Sequence, residues 1–282
     1  MSNDEFAAIA DGLRAGRLIP YLGPGLLEAG NAACVPATDA TLVARLSAGQ
    51  PVPARIRRNL TAVAQYIENF RHRKALRARM VEVFDTPTPP GFLHRYIAGL
   101  ENLPLVVDTW YDDALLTALA ERREGSAWGQ VQGVSRAEHR DIWHAYFHSD
   151  GSAATAEDVA HWRTLVYKPI GCIRPSGNFL ISDSDFVEVL TEIDIQTPIP
   201  PEVKQLRQMC GFLFLGCRFA TQLERIYARQ IMKRSAGPHW AVIDDDLTRN
   251  ESRFLSEQRI YPIHLPLEEF SARLVDLSAL IV

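Results

Sequence analysis

The chain has 282 residues, 47% hydrophobic, 23% charged and 9% aromatic, an ordinary globular composition with ample apolar material for a sizeable core. A formal net charge of −4 gives no reason to expect general nucleic-acid binding. Cys34, Cys172, Cys210 and Cys217 include no C-x-x-C pair, which argues against a disulfide framework or a four-cysteine structural zinc site.

The opening "MSNDEFAAIADGLRAG" carries acids where a secretory leader would carry bases, and Ser2 with Glu5 forms a capping-box pattern stopped by Gly16. A helix over 3–15 is expected. "RLIPYL" reads as the first strand, ending at Gly23. The stretch 41–81 reads as helical until "TPTPPG" (86–91) breaks it. "FLHRYIAGL" is helical, "LPLVV" is a short buried strand, and a helix follows Asp112. "GQVQGV" is a further candidate strand, and 150–158 reads as a loop. "TLVYKPIG", "NFLIS", "FLFLG", "HWAVID" and "RIYPIHL" then alternate with amphipathic helices at 183–193, 221–234, 249–258 and 267–280. No apolar run approaches the ~18 residues needed to cross a bilayer, so a cytoplasmic protein without membrane contact is expected.

Strands alternating with helices predict an α/β fold, doubly wound around a mostly parallel sheet. In such sheets ligands sit outside the carboxyl ends of the strands. Gly23–Gly25, Asp108–Asp113, Lys168–Cys172 and Gly216–Phe219 are therefore expected to line one crevice.

Four segments, in order, resemble the sirtuin-like (silent information regulator-like) domains of bacteria. "IPYLGPGLL" resembles that family's first strand and its G-A-G-x-S phosphate loop. "LHRYIAGLENLPLVVDTWYDDALL" resembles a helix with His, then a strand ending in T-T-N-Y-D. "LVYKPIGCI…NFLISDSDFVEVL" resembles K-L-H-G-D followed by a hairpin and a helix. "GFLFLGCRFATQLERIYARQ" resembles a late strand, G-[FY]-S and a helix. The resemblance implies a single Rossmann-like domain over 1–282 with an inserted helical module at 31–90. It also implies binding of NAD or an ADP-ribose derivative, with nucleotide contacts at Gly23, Gly25, Thr109, Trp110, Tyr111, Asp112, Gly171, Gly216 and Cys217. Many members cleave the nicotinamide glycosidic bond, using the Asn of T-N-Y-D and the His of the H-G pair.

Neither catalytic residue is present. Trp110 stands at the Asn position and Ile170 at the His position. Ile170 cannot accept a proton, a role worth ~10²–10⁴-fold in rate. Trp110 can stack on a flat ring but fills space meant for nicotinamide. In the loop, Pro24 has no N–H and Leu27 offers no hydroxyl. The expectation is a sirtuin-like protein inactive toward NAD, serving as a nucleotide-binding or protein-interaction module.

An alternative is an NAD glycohydrolase or ADP-ribosyl-transferring enzyme with rearranged residues. Asp112 and His94 are its candidates, although Asp112 and Asp113 also suit a helix N-terminus and His94 suits packing or capping. A weaker alternative gathers Cys34, Cys172 and Cys217 as a metal or redox centre, against the reading of buried small hydrophobes. His264 reads as a core histidine, and Tyr111 and Asp108 as strand-end packing and hydrogen-bonding residues. The basic run over 55–79 is either a solvated face or a surface for phosphates, an acidic partner or nucleic acid. A homo-oligomer is left open.

Overall fold

The computed structural model describes residues 3–29, 34–135, 142–193, 198–244 and 246–279. Helix α1 (Asn3–Arg14) leads into β1 (Leu18–Leu22), followed by α2 (Gly25–Ala29), α3 (Asp39–Ser47), a 3-10 turn and the long α4 (Leu60–Phe84). Helix α5 (Phe92–Ala98) returns the chain to β2 (Leu105–Asp108), and α6 (Ala114–Arg122) leads to β3 (Trp128–Gly133). Next come β4 (His144–His148), β5 (Ala153–Ala154), β6 (Thr164–Lys168), and a small hairpin of β7 (Gly171–Cys172) and β8 (Asn178–Phe179). The chain closes through α7 (Asp183–Ile193), α8 (Pro201–Leu206), β9 (Gly211–Leu215), α9 (Gln222–Met232), β10 (His239–Val242), α10 (Arg249–Gln258), β11 (Ile260–Ile263) and α11 (Leu267–Ala279).

Nine strands form one sheet in the order β11-β10-β9-β1-β2-β6-β3-β4-β5. Every neighbouring pair is parallel except β3–β4 and β4–β5. The strand order reverses at β1, which pairs with β2 on one side and β9 on the other. That is the switch point at which a doubly wound sheet opens a crevice.

The short apolar runs become central strands because helices cover both faces, so alternate residues have two cores to enter. Ile19, Tyr21, Val107, Phe212 and Phe214 join one core, while Leu18, Leu22, Val106, Leu213 and Leu215 join the other. A third core forms where α3 and α4 pack around Leu27, Trp110, Tyr111, Ile173 and Phe179.

Several expectations are corrected. The helical stretch 41–81 is two helices, separated by a 3-10 turn at Ala54–Ile56. Within α4, His72 leaves helical geometry (φ 66, ψ 160), so the buried face runs Val63, Ala64, Ile67 and resumes at Leu76 and Met80. Phe70 is 67% exposed beside that break. His264 is exposed just past β11 and is no core histidine. The loop over 150–158 contains β5, and β4 was not foreseen. Among the described residues, no helix is long and apolar enough to cross a membrane.

Candidate functional site

The ends of β1, β2, β6 and β9 open into a cavity of about 370 Å³. Its floor and walls are Tyr21, Gly23 and Pro24 from β1, Thr109, Trp110 and Tyr111 from β2, Pro169 and Ile170 from β6, and Cys217, Arg218 and Phe219 from β9. The starts of α3 and α4 supply Asp39, Arg58, Asn59, Leu60 and Thr61, and α9 supplies Glu224 and Tyr227. Of the nine expected nucleotide contacts, Gly23, Thr109, Trp110, Tyr111 and Cys217 line this cavity. Gly25, Asp112, Gly171 and Gly216 do not.

The glycine turn after β1 has its donors turned inward. Gly23 N–H donates to Leu215 O (2.9 Å) and Gly25 N–H to Gly216 O (3.0 Å), while Leu26 and Leu27 donate back to Gly23 and Pro24. Pro24 has no N–H at all. From Gly23 to Leu27 every backbone donor is thus committed, and α2 is only five residues long. The glycines answer to packing. A Cβ on Gly23 would lie 2.4 Å from Gly216 O, and one on Gly216 (φ +63) would lie 2.4 Å from Leu26 N.

The aromatic walls are fixed from behind. Trp110 Nε1 donates to Pro36 O (2.7 Å), and the Tyr111 hydroxyl donates to Leu180 O (2.8 Å). Thr109 clamps the end of β2 to β1 through two bonds to Leu22 O. Leu27 is buried in the third core, outside the cavity lining.

A buried polar cluster lies beneath these strand ends, outside the cavity lining. Lys168 Nζ is 2.5 Å from Asp108 Oδ2 and donates to Asp112 O (3.0 Å); the two side chains are 0% and 7% exposed. Burial opposes the ammonium, but Asp108, Cys172 and Asp112 outweigh it and hold Lys168 above its ordinary value. Asp108 Oδ1 also accepts the Trp110 N–H (3.3 Å), so the ion pair sets the exit path of β2. The sequence puts Asp108 and Lys168 at strand ends but does not pair them. The signal was there: two adjacent buried strands each close on one charge of opposite sign.

Asp112 belongs to this cluster. Its Oδ1 accepts the Ala114 N–H (2.8 Å), as an acid at the start of α6 should. Burial, then Asp108, lifts its carboxyl to about 7. The folded value lies above the unfolded one of 3.8, so this group's stabilising contribution is complete below that value and fades as pH rises through about 7. Asp112→Asn keeps the acceptor and removes the titration. Its thermal midpoint is expected to vary less than that of the wild type between about pH 4 and 7. Parallel curves for the two proteins would refute this.

His94 is buried, and its Nδ1 accepts the Gly91 N–H (3.1 Å), closing the first turn of α5. Burial lowers its value to about 4, keeping the imidazole neutral. It too lies outside the cavity lining.

Among the described residues, no group of three His, Cys, Asp or Glu is placed to hold a metal. Cys172 donates to Tyr111 O (3.1 Å) and Cys217 to Tyr21 O (3.4 Å), and burial pushes both thiols up. Cys34 packs on the third core. Cys172 and Cys217 are buried thiols with separate partners and Cys34 is half-buried on another core, so among the described residues the three are not gathered.

The basic run divides. Arg73 pairs with Asp185 (2.7 Å) and Glu68 (3.4 Å), donates to Phe179 O and lies over the Phe179 ring. Arg79 caps α3 through Leu46 O and Ala48 O, and Arg57 holds Val52 O. These arginines fasten α4 to its neighbours. Of the run, Arg58 alone lines the cavity.

A family model described as SIR2-like domain matches residues 104–263, more than half of the chain. A search of curated proteins finds no match.

Proposed function

The chain belongs to the SIR2-like domain family, and from that premise we propose that it binds a nucleotide of the NAD or ADP-ribose class without cleaving it. One observation carries this reading: the crevice is open, at the switch point, while the positions that correspond to the family's catalytic pair are apolar or committed. Ile170 stands where a base is needed, and Trp110, tied to Pro36, stands where the amide is needed. Asn59, an amide in the lining, accepts the Ala62 N–H (3.0 Å) as the cap of α4. No histidine is among the described lining residues.

A cavity of this size, apolar with a few convergent polar groups, suits a small ligand. The starts of α3 and α4 provide one wall of it. Rearranged catalysis by Asp112 and His94 has less support, because neither side chain lines the crevice and each holds a backbone N–H. Titration with NAD and ADP-ribose tests the proposal. At 100-fold the dissociation constant, ligand stabilises the native state by about 2.7 kcal/mol, a clear rise in thermal midpoint. No shift with either compound, and no heat of binding, would leave the crevice without this role.

A further inference from the structure

The long helix α4 breaks beside an exposed aromatic. Val63 and Ile67 are buried, yet Phe70, next on the same helical spacing, stands in solvent, stacked on Tyr66 with ring centroids 4.5 Å apart. Two residues on, His72 holds φ 66 and ψ 160, a strained conformation that costs a non-glycine residue about 1–3 kcal/mol and clusters at functional sites. Arg71 and Lys74 flank the break, exposed, and make no hydrogen bond or ion pair with a described residue. The run 55–79 carries eight cations against Glu68 alone, in a chain of formal net charge −4, so the remainder of the chain is strongly acidic.

A complementary surface lies over a different core. Leu26, Ala29, Phe92, Leu93 and Ala272, from α2, α5 and α11, line a cavity of about 290 Å³ that is open to solvent. Leu26 and Leu93 belong to the second core, whereas α4 builds the third. The Ser271 hydroxyl in the lining is spent on Leu267 O (2.6 Å), which leaves the walls apolar. An open apolar cavity of this kind marks an interaction site. Its unpaired charges are acids: Glu268 lines it and Glu28 precedes Ala29, both exposed and without an ion pair among the described residues. The arginines of these helices are already matched, Arg273 with Glu269 (2.6 Å) and Arg95 with Glu121 (3.8 Å).

We propose that copies of this chain associate head to tail, Phe70 of one copy entering the cavity between α2, α5 and α11 of the next, with Arg71 and Lys74 set against Glu28 and Glu268. The ring gains burial in an apolar lining, and each cation meets a carboxylate. The two surfaces differ, so the contact is heterologous and propagates from copy to copy until a ring closes.

Sedimentation velocity over a range of protein concentrations, at low and at high salt, tests this with Phe70→Ser, Lys74→Glu and Ala272→Arg as variants. Ala272 is exposed on α11, so an arginine there blocks the cavity and repels the incoming cations without entering a core. The wild type should grow in mass beyond the monomer as concentration rises, and less so at high salt, where the charge attraction is screened. Each variant should weaken association about tenfold or more while keeping the wild-type thermal midpoint. A mixture of Phe70→Ser with Ala272→Arg decides the geometry, since the first keeps only the cavity and the second only the aromatic. The mixture should form a one-to-one dimer and stop there, at a concentration where each variant alone is a monomer. Lys74→Glu mixed with Ala272→Arg should give less of that dimer than wild type mixed with Ala272→Arg, a comparison that leaves the aromatic untouched. A wild type monomeric at every concentration would overturn the proposal. So would growth unchanged by all three variants, or a mixture that sediments as two monomers.

Discussion

Lys168→Met is expected to destabilise the protein by about 3–5 kcal/mol, the usual cost of stripping one partner from a buried ion pair. The ammonium is fully buried, 2.5 Å from Asp108, and it also holds Asp112 O. Methionine keeps the four-atom stem of lysine and lacks only the ammonium, so little of the effect comes from packing. What remains is a carboxylate at Asp108 with no counter-charge, at the point where β2 delivers Trp110 to the crevice. The double variant Asp108→Asn with Lys168→Met should recover much of the loss, because a neutral pair leaves no buried charge. Urea unfolding of the wild type, both singles and the double measures this directly. A Lys168→Met variant within about 0.5 kcal/mol of wild type would refute the assigned role of the pair.

Gly216→Ala should cost on the order of 2–5 kcal/mol, from a left-handed backbone added to a steric clash. Gly216 has φ +63, and a Cβ there would meet Leu26 N at 2.4 Å and Gly25 C at 2.8 Å. Both obstacles are backbone atoms of the glycine turn, so neither can rotate away. Gly49 is the control: its φ is +67, but a Cβ there meets nothing within 4 Å. Gly49→Ala therefore reports the conformational penalty alone, about 1–2 kcal/mol. Equal losses for the two substitutions would show that the β1 and β9 turns are not in the close contact described.

These two sites show why the sequence was informative about architecture and less so about the site. The strands were legible because each is a short, continuous apolar run buried on both faces, and "LVVD" or "FLFL" has few other ways to be satisfied. β4 and β5 were not, since an antiparallel edge of half-buried residues such as "HAYFH" carries no such run. The four strand ends were placed together by topology alone, and they do line one cavity. The glycines were read for what they permit, close approach to a phosphate, whereas the structure shows what they avoid, a clash between two backbones. Donor direction cannot be seen in "LGPGLL"; only the partners of Gly23 and Gly25 reveal it. The state of the Tyr227 hydroxyl is hidden for a related reason. Its spacing on α9 looks like any core position, and the unpartnered hydroxyl exists only in three dimensions.

The departures at Trp110 and Ile170 gain weight from their surroundings. Trp110 donates to Pro36 O and packs against Phe84 and Tyr111, so moving it aside would break that bond and both ring contacts. Ile170 lies in the lining with no titratable group beside it in sequence, between Pro169 and Gly171. The acids that do reach the crevice, Asp39 and Glu224, come from helices rather than from the strand ends that present the family's catalytic pair.

The most direct test of an uncleaved ligand is nicotinamide release from NAD by the pure protein at saturating NAD, followed over hours beside a protein-free control. Bound NAD and a release rate indistinguishable from the control are expected. Release well above the control, abolished by substitution of a crevice residue, would contradict it.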